Sequence, residues 1–148
     1  EYEVDGIFVL GIRTYRDSHK GKYRGKNTVY LVELVEATIC HLGDLGHTLS
    51  DEELADVGSV DILMVPVGGK HSLNAVQAAE VVGQIEPRIV IPMHYHTPGN
   101  RLRLEGVEPF WQLMGTKGSS PLEALRLGPG DLPSADDETR LVIMKPAG

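Results

Sequence analysis

The sequence predicts one α/β domain over residues 1–148, built on a mixed sheet with flanking helices. Two observations predict it. Between Asp61 and Met93 an apolar run, a one-sided helical pattern and a second apolar run follow one another within about 33 residues, which is the make-up of a right-handed βαβ unit with parallel strands. Ahead of that unit, Asn27 to Leu34 and Ala37 to His41 read as two strands joined by a turn near Glu36, an antiparallel hairpin.

The elements follow in order. Tyr2 to Leu10 reads as strand, with a turn at Asp5-Gly6. Residues 16–26 are polar, basic and glycine-containing, so they read as a loop. Ser50-Asp51-Glu52-Glu53 opens a short helix ending near Gly58. There the Ser50 hydroxyl can accept from the Glu53 backbone, and the Glu53 side chain can accept from the Ser50 backbone. Asp61 to Val67 is the first strand of the parallel unit, stopped by Gly68-Gly69. The helix from about Leu73 to Ile85 places Asn74, Gln77, Glu80 and Gln84 on one polar face and Val76, Ala79, Val82 and Ile85 in the core. Pro87 ends it, and Arg88 to Met93 is the second strand. Such apolar strands predict a sheet covered on both faces. Val107 to Met114 forms a short helix with Val107, Phe110 and Met114 inward. Gly115 to Glu138 is irregular apart from an apolar stretch at Leu122 to Leu127, and Arg140 to Met144 is a last strand.

Composition narrows the function classes. The length suits one domain with a sizeable core, and no apolar run approaches the ~18 residues of a membrane span. Glu1-Tyr2-Glu3 is acidic, unlike the start of a signal peptide. A net charge of −7 argues against nucleic acid as a partner. Cys40 is the only cysteine, so no intramolecular disulfide forms and a reducing cytoplasm is expected. Positive residues gather between Arg13 and Lys26. They read either as a solvated loop or as a positively charged lip for an anionic substrate, with Arg16 binding it.

Candidate chemistry centres on histidines. His41-Leu42-Gly43-Asp44-Leu45-Gly46-His47 follows one strand, and His94-Tyr95-His96 follows another. Ligands of parallel sheets bind beyond the carboxyl ends of the strands, so the two motifs can converge. A catalytic zinc needs about three protein ligands and an open position for water. The plainer reading makes Asp44 a turn cap and His94 an ordinary strand-end residue. Val67-Gly68-Gly69-Lys70 before a helix lacks both common phosphate-loop patterns, which disfavours a flavodoxin-like nucleotide binder. Cys40 and His41 are strand neighbours pointing to opposite faces, so Cys40 reads as buried and structural rather than half of a catalytic pair.

These residues resemble a known family. Ile39 to His47, Val60 to Gly69 and Ile91-Pro92-Met93-His94-Tyr95, in this order and spacing, are similar to the Zn-dependent hydrolases of the metallo-β-lactamase fold, near the ascorbate-6-phosphate lactonases. The resemblance implies an αββα sandwich with a metal site between its sheets, of which this chain is the C-terminal portion. It implies Asp44 as a metal-bridging carboxylate and His94 as the last histidine ligand, both catalytic, with zinc (or manganese or iron) as cofactor. His41 and His47 would support that site from behind, and Tyr95 and His96 would line its mouth. Two departures stand out. The family's His-x-His-x-Asp-His segment is expected upstream of Glu1, and Arg16 stands where the family tends to place a histidine. A guanidinium has no lone pair for a metal.

Two functions are therefore expected. The first is a metal-dependent hydrolase using metal-activated water on a small ester, lactone or phosphorylated substrate, incomplete in this chain. The second is a non-catalytic half-domain that acts as an oligomerisation or binding module, with Arg16 pairing Asp44. A half sandwich exposes an apolar face, so a homo-oligomer, or further residues completing the fold, is expected.

Overall fold

The computed structural model describes residues 1–99, 103–115, 121–128, 130–134 and 137–146. Its seven strands form one sheet in chain order: β1 (Tyr2–Val4), β2 (Ile7–Tyr15), β3 (Lys26–Glu33), β4 (Thr38–His41), β5 (Ile62–Pro66), β6 (Ile89–Met93) and β7 (Arg140–Leu141). The first four pair antiparallel and the rest parallel, so the expected mixed sheet is found. The Tyr2 to Leu10 segment divides into β1 and β2 at Asp5-Gly6. Both turn residues have positive φ, the geometry that suits a two-residue hairpin, and β2 runs on to Tyr15.

Among the described residues, three helices accompany the sheet: α1 (Asp51–Val57), α2 (Ala75–Ile85) and α3 (Glu108–Met114). The α1 capping box forms as expected, with Ser50 Oγ accepting from the Glu53 N–H at 3.1 Å and the Glu53 carboxylate accepting from the Ser50 N–H at 2.9 Å. Asn74 and Gln77 close a second box at the start of α2. The buried stripe of α2 is Ala75, Ala78, Val81 and Val82. Val76, expected in the core, is 56% exposed. Small alanines, which say little in a hydrophobicity pattern, are what bring this helix close to the sheet, and one residue further round the helix turns Val76 outward.

The sheet has two apolar faces. One carries Val29, Leu31, Cys40, Leu63, Val65 and Val90 and packs against the helices in the main core. On the other, strand register lines up Tyr2, Val9, Val32, Ile39, Ile62 and Ile89 across six strands. Here the expectation of full cover holds only in part. Leu122, Leu125, Leu127 and Leu132 of the tail lie over the β5–β6 end. Between tail and sheet lies a largely apolar cavity of about 980 Å³, and Tyr2, Val4, Ile7 and Tyr30 remain exposed.

The last strand is shorter than the expected Arg140 to Met144. Val142 N–H still donates to the Val90 carbonyl at 2.9 Å. The next bond of that ladder would need an N–H from Pro92, which has none. Beyond Leu141 the chain therefore changes partner. Leu122 N–H donates to the Ile143 carbonyl, and Met144 forms an isolated bridge with Leu122. Of the irregular Gly115 to Glu138 segment, residues 116–120, 129 and 135–136 lie outside those described.

Candidate functional site

Four loops meet at the carboxyl ends of β4, β5 and β6: residues 16–25, 42–49, 67–74 and 94–96. They are stitched together by backbone hydrogen bonds. Gly46 N–H donates to the Tyr15 carbonyl, Leu73 N–H to the Leu45 carbonyl, and Val67 N–H to the Met93 carbonyl. Glu105 ties two of them, donating to the Gly68 carbonyl while its own carbonyl accepts from the His96 N–H.

Asp44 sits at the centre. Its carboxylate faces His94 Nδ1 at 3.3 Å and Arg16 Nη2 at 3.7 Å, with all three side chains partly exposed. Asn27, at the start of β3, fixes this loop. Its buried amide donates to Thr14 Oγ1 and to the Leu42 carbonyl, and its Oδ1 accepts from the Asp44 N–H at 3.0 Å. Gly43 adopts φ +61°, and a Cβ there would fall 2.7 Å from Asn27 Oδ1, so only glycine passes between. His94 itself has φ +54°, a left-handed conformation that a residue with a side chain rarely adopts and that clusters at functional sites. Its carbonyl lies where a side chain on Gly68 would begin.

The other histidines take separate roles. His41 Nδ1 accepts from the Gly43 N–H at 3.0 Å, which commits that lone pair to the turn. Burial lowers the His41 pKa, as does nearby His94, with its own backbone and Asp44 pulling the other way. His47 Nε2 accepts from the Tyr15 N–H at 3.1 Å, which leaves Nδ1 to donate to the Thr48 carbonyl at 2.8 Å. Both nitrogens of His47 are thus spent on pinning the end of β2. Tyr95 packs against the main core, and its hydroxyl donates to the Met144 carbonyl at 3.3 Å, bracing the tail. Burial, and then Glu108, raises its pKa. His96 is exposed beside it. Cys40 is fully buried, and burial pushes its thiol up to about 12, so it is an inert core residue.

Two residues of this neighbourhood carry no ligand chemistry and escape a search for it. Asn27 reads in sequence as a strand start. Asp17 reads as one acid in a basic loop, yet its buried carboxylate accepts four backbone N–H groups, from His19, Gly21, Tyr23 and Arg24, at 2.8–3.0 Å. Burial alone would raise its pKa, but the four donors outweigh burial and hold it at about 2.

As a metal site the arrangement is incomplete. Among the described residues no three His, Cys, Asp or Glu side chains gather closely enough to hold an ion. Asp44 and His94 supply two donors, His47 supplies none, and Arg16 occupies the side of Asp44 with a positive charge. Among the described residues, that does not fit a tight catalytic zinc.

The fold is that of a β-lactamase superfamily domain, whose family pattern matches residues 1–94. The chain belongs to the metallo-β-lactamase superfamily. Among curated relatives it is 38% identical over 98 residues to a UPF0173 metal-dependent hydrolase of Pyrococcus horikoshii, covering 64% of this chain and 43% of that protein. It is 33% identical over 133 residues to one of Thermococcus onnurineus, covering 88% and 56%. A Thermotoga maritima protein described as a Zn-dependent hydrolase of the superfamily has a TM-score of 0.76 at 31% identity, over 97% of this chain and 67% of that one. The chain spans about half the length of the curated relatives it matches. Among the described residues, no helix is long and apolar enough to cross a membrane.

Proposed function

We propose that the chain contributes Asp44 and His94 to a metal-dependent hydrolase acting on a small ester, lactone or phosphorylated compound. The observation that carries this is the convergence of Asp44 and His94, from loops after β4 and β6, to 3.3 Å at the carboxyl ends of the parallel strands. The curated relatives are described as metal-dependent hydrolases, which supports the reading. Two donors fall short of the three a catalytic zinc needs, so hydrolysis requires ligands beyond those described. His41 supports the turn that carries Asp44, its Nδ1 accepting from the Gly43 N–H. Zinc, manganese and iron are the candidate ions.

A second reading is favoured by the Arg16–Asp44 contact. A guanidinium beside the central carboxylate neutralises it without a metal, as a non-catalytic binding or oligomerisation module would. Elemental analysis after dialysis against each ion separates the two. Stoichiometric uptake that is lost in D44N and H94A supports the metal centre. No uptake by the wild-type chain, with uptake gained by Arg16→His, supports the charge-compensated module.

A further inference from the structure

We propose that residues 16–25 form a preorganised anion-binding loop, in which Arg16 and Arg24 take a phosphate group of the substrate beside Asp44 and His94. The inference rests on the site assigned above as the place where substrate binds, but not on a metal being there.

Three observations converge. The first is charge. Between residues 16 and 26 the chain carries Arg16, Lys20, Lys22, Arg24 and Lys26 against one acid, Asp17, in a protein whose net charge is −7. That single acid of the loop is buried and saturated by four backbone donors, so the carboxylate that competes for Arg16 is Asp44, at 3.7 Å, and none is shown beside Arg24. A dense local excess of positive charge favours a dianion over a singly charged group.

The second is rigidity. The loop is closed at its neck by Arg16 N–H donating to the Gly25 carbonyl at 3.1 Å, and inside by Gly25 N–H donating to the Gly21 carbonyl at 2.9 Å. The His19 and Tyr23 rings pack edge to face at 5.0 Å. With the Asp17 carboxylate at its centre, the loop does not need to be ordered when a ligand arrives, and ordering is a main cost of binding.

The third is placement and free donors. Arg16 approaches Asp44 only to 3.7 Å, a charge contact beyond hydrogen-bonding distance, so its N–H groups stay available. Arg24 Nη1 lies 3.4 Å from His71 Nδ1, an exposed contact that turns that side chain toward the loop after β5. Arg24 precedes Gly25, whose carbonyl accepts from the Arg16 N–H, so the two arginines leave the same loop neck, and planar guanidinium forks are suited to the oxygens of a phosphate.

The test is direct binding of inorganic phosphate to the full chain by calorimetry at low ionic strength. Exposed charged contacts of this kind predict that R16Q and R24Q each weaken binding about tenfold. R140Q, which removes the same charge at the opposite end of the parallel strands, should leave it unchanged. Added sodium chloride should weaken wild-type binding by screening. No phosphate binding, or equal losses in all three variants, would overturn the proposal. Phosphate binding without metal uptake sinks the metal-centre reading and leaves the anion loop standing. Metal uptake without phosphate binding does the reverse.

Discussion

Asn27 and Asp17 show how much of the loop geometry around Asp44 is held by side chains bonded to backbone. Asn27 joins β2, the end of β4 and the Asp44 backbone through one buried amide. N27A removes three hydrogen bonds and leaves buried partners unsatisfied, so stability should fall by about 2–4 kcal/mol in urea unfolding. Asp17 does the same for the basic loop. Its folded pKa is depressed to about 2 from an ordinary 3.8, so its contribution to stability is present above about pH 4 and is lost as pH falls through the interval toward 2. Thermal unfolding of the wild type between pH 5 and 2 should therefore show an acid destabilisation that is reduced in D17N, which starts from a lower melting temperature. Equal acid sensitivity in both proteins would remove Asp17 as the cause.

At the scale of elements, the strand ends set the geometry. The end of β5 passes so close to His94 that Gly68 admits no side chain, and His94 holds a left-handed backbone in return. G68A should cost about 1–3 kcal/mol by overpacking. It should also displace His94 from Asp44, seen as a changed His94 ring resonance in NMR, whereas a remote G83A in α2, where a Cβ meets nothing, should leave that resonance alone. The same logic explains the short β7. A proline in the neighbouring strand ends the ladder, and the tail turns instead to pair with Leu122.

For the whole molecule, the sheet presents apolar side chains on both faces while its helices lie on one. The tail covers only the β5–β6 end of the other, and Tyr2, Val4, Ile7 and Tyr30 stay exposed. A contiguous apolar surface of this kind drives association. In sedimentation velocity the chain alone should self-associate as concentration rises, and Y2S/Y30S should shift it toward monomer. A wild-type chain that stays monomeric across that range would show that this face is tolerated in water.

The hairpin, the parallel unit, the capping box at Ser50 and the two motifs at Asp44 and His94 were legible in sequence. Each is local: a hydrophobic period, a cap spacing, or a glycine at a turn reports the backbone it sits in. The buried stripe of α2 was legible only in part, because alanine packs closely while contributing little to a hydrophobic pattern. Other features needed the tertiary structure. Arg16 meets Asp44 across 28 residues, Asn27 reaches Asp44 across 17, and both nitrogens of His47 are taken by backbone. Those are long-range hydrogen bonds and charge contacts, which depend on which strands are neighbours and not on the residues beside them in the chain. Sequence alone brought out the two motifs, at Asp44 and His94, that the fold places 3.3 Å apart. Only the fold decided that, among the described residues, Asp44 is faced by His94 and Arg16.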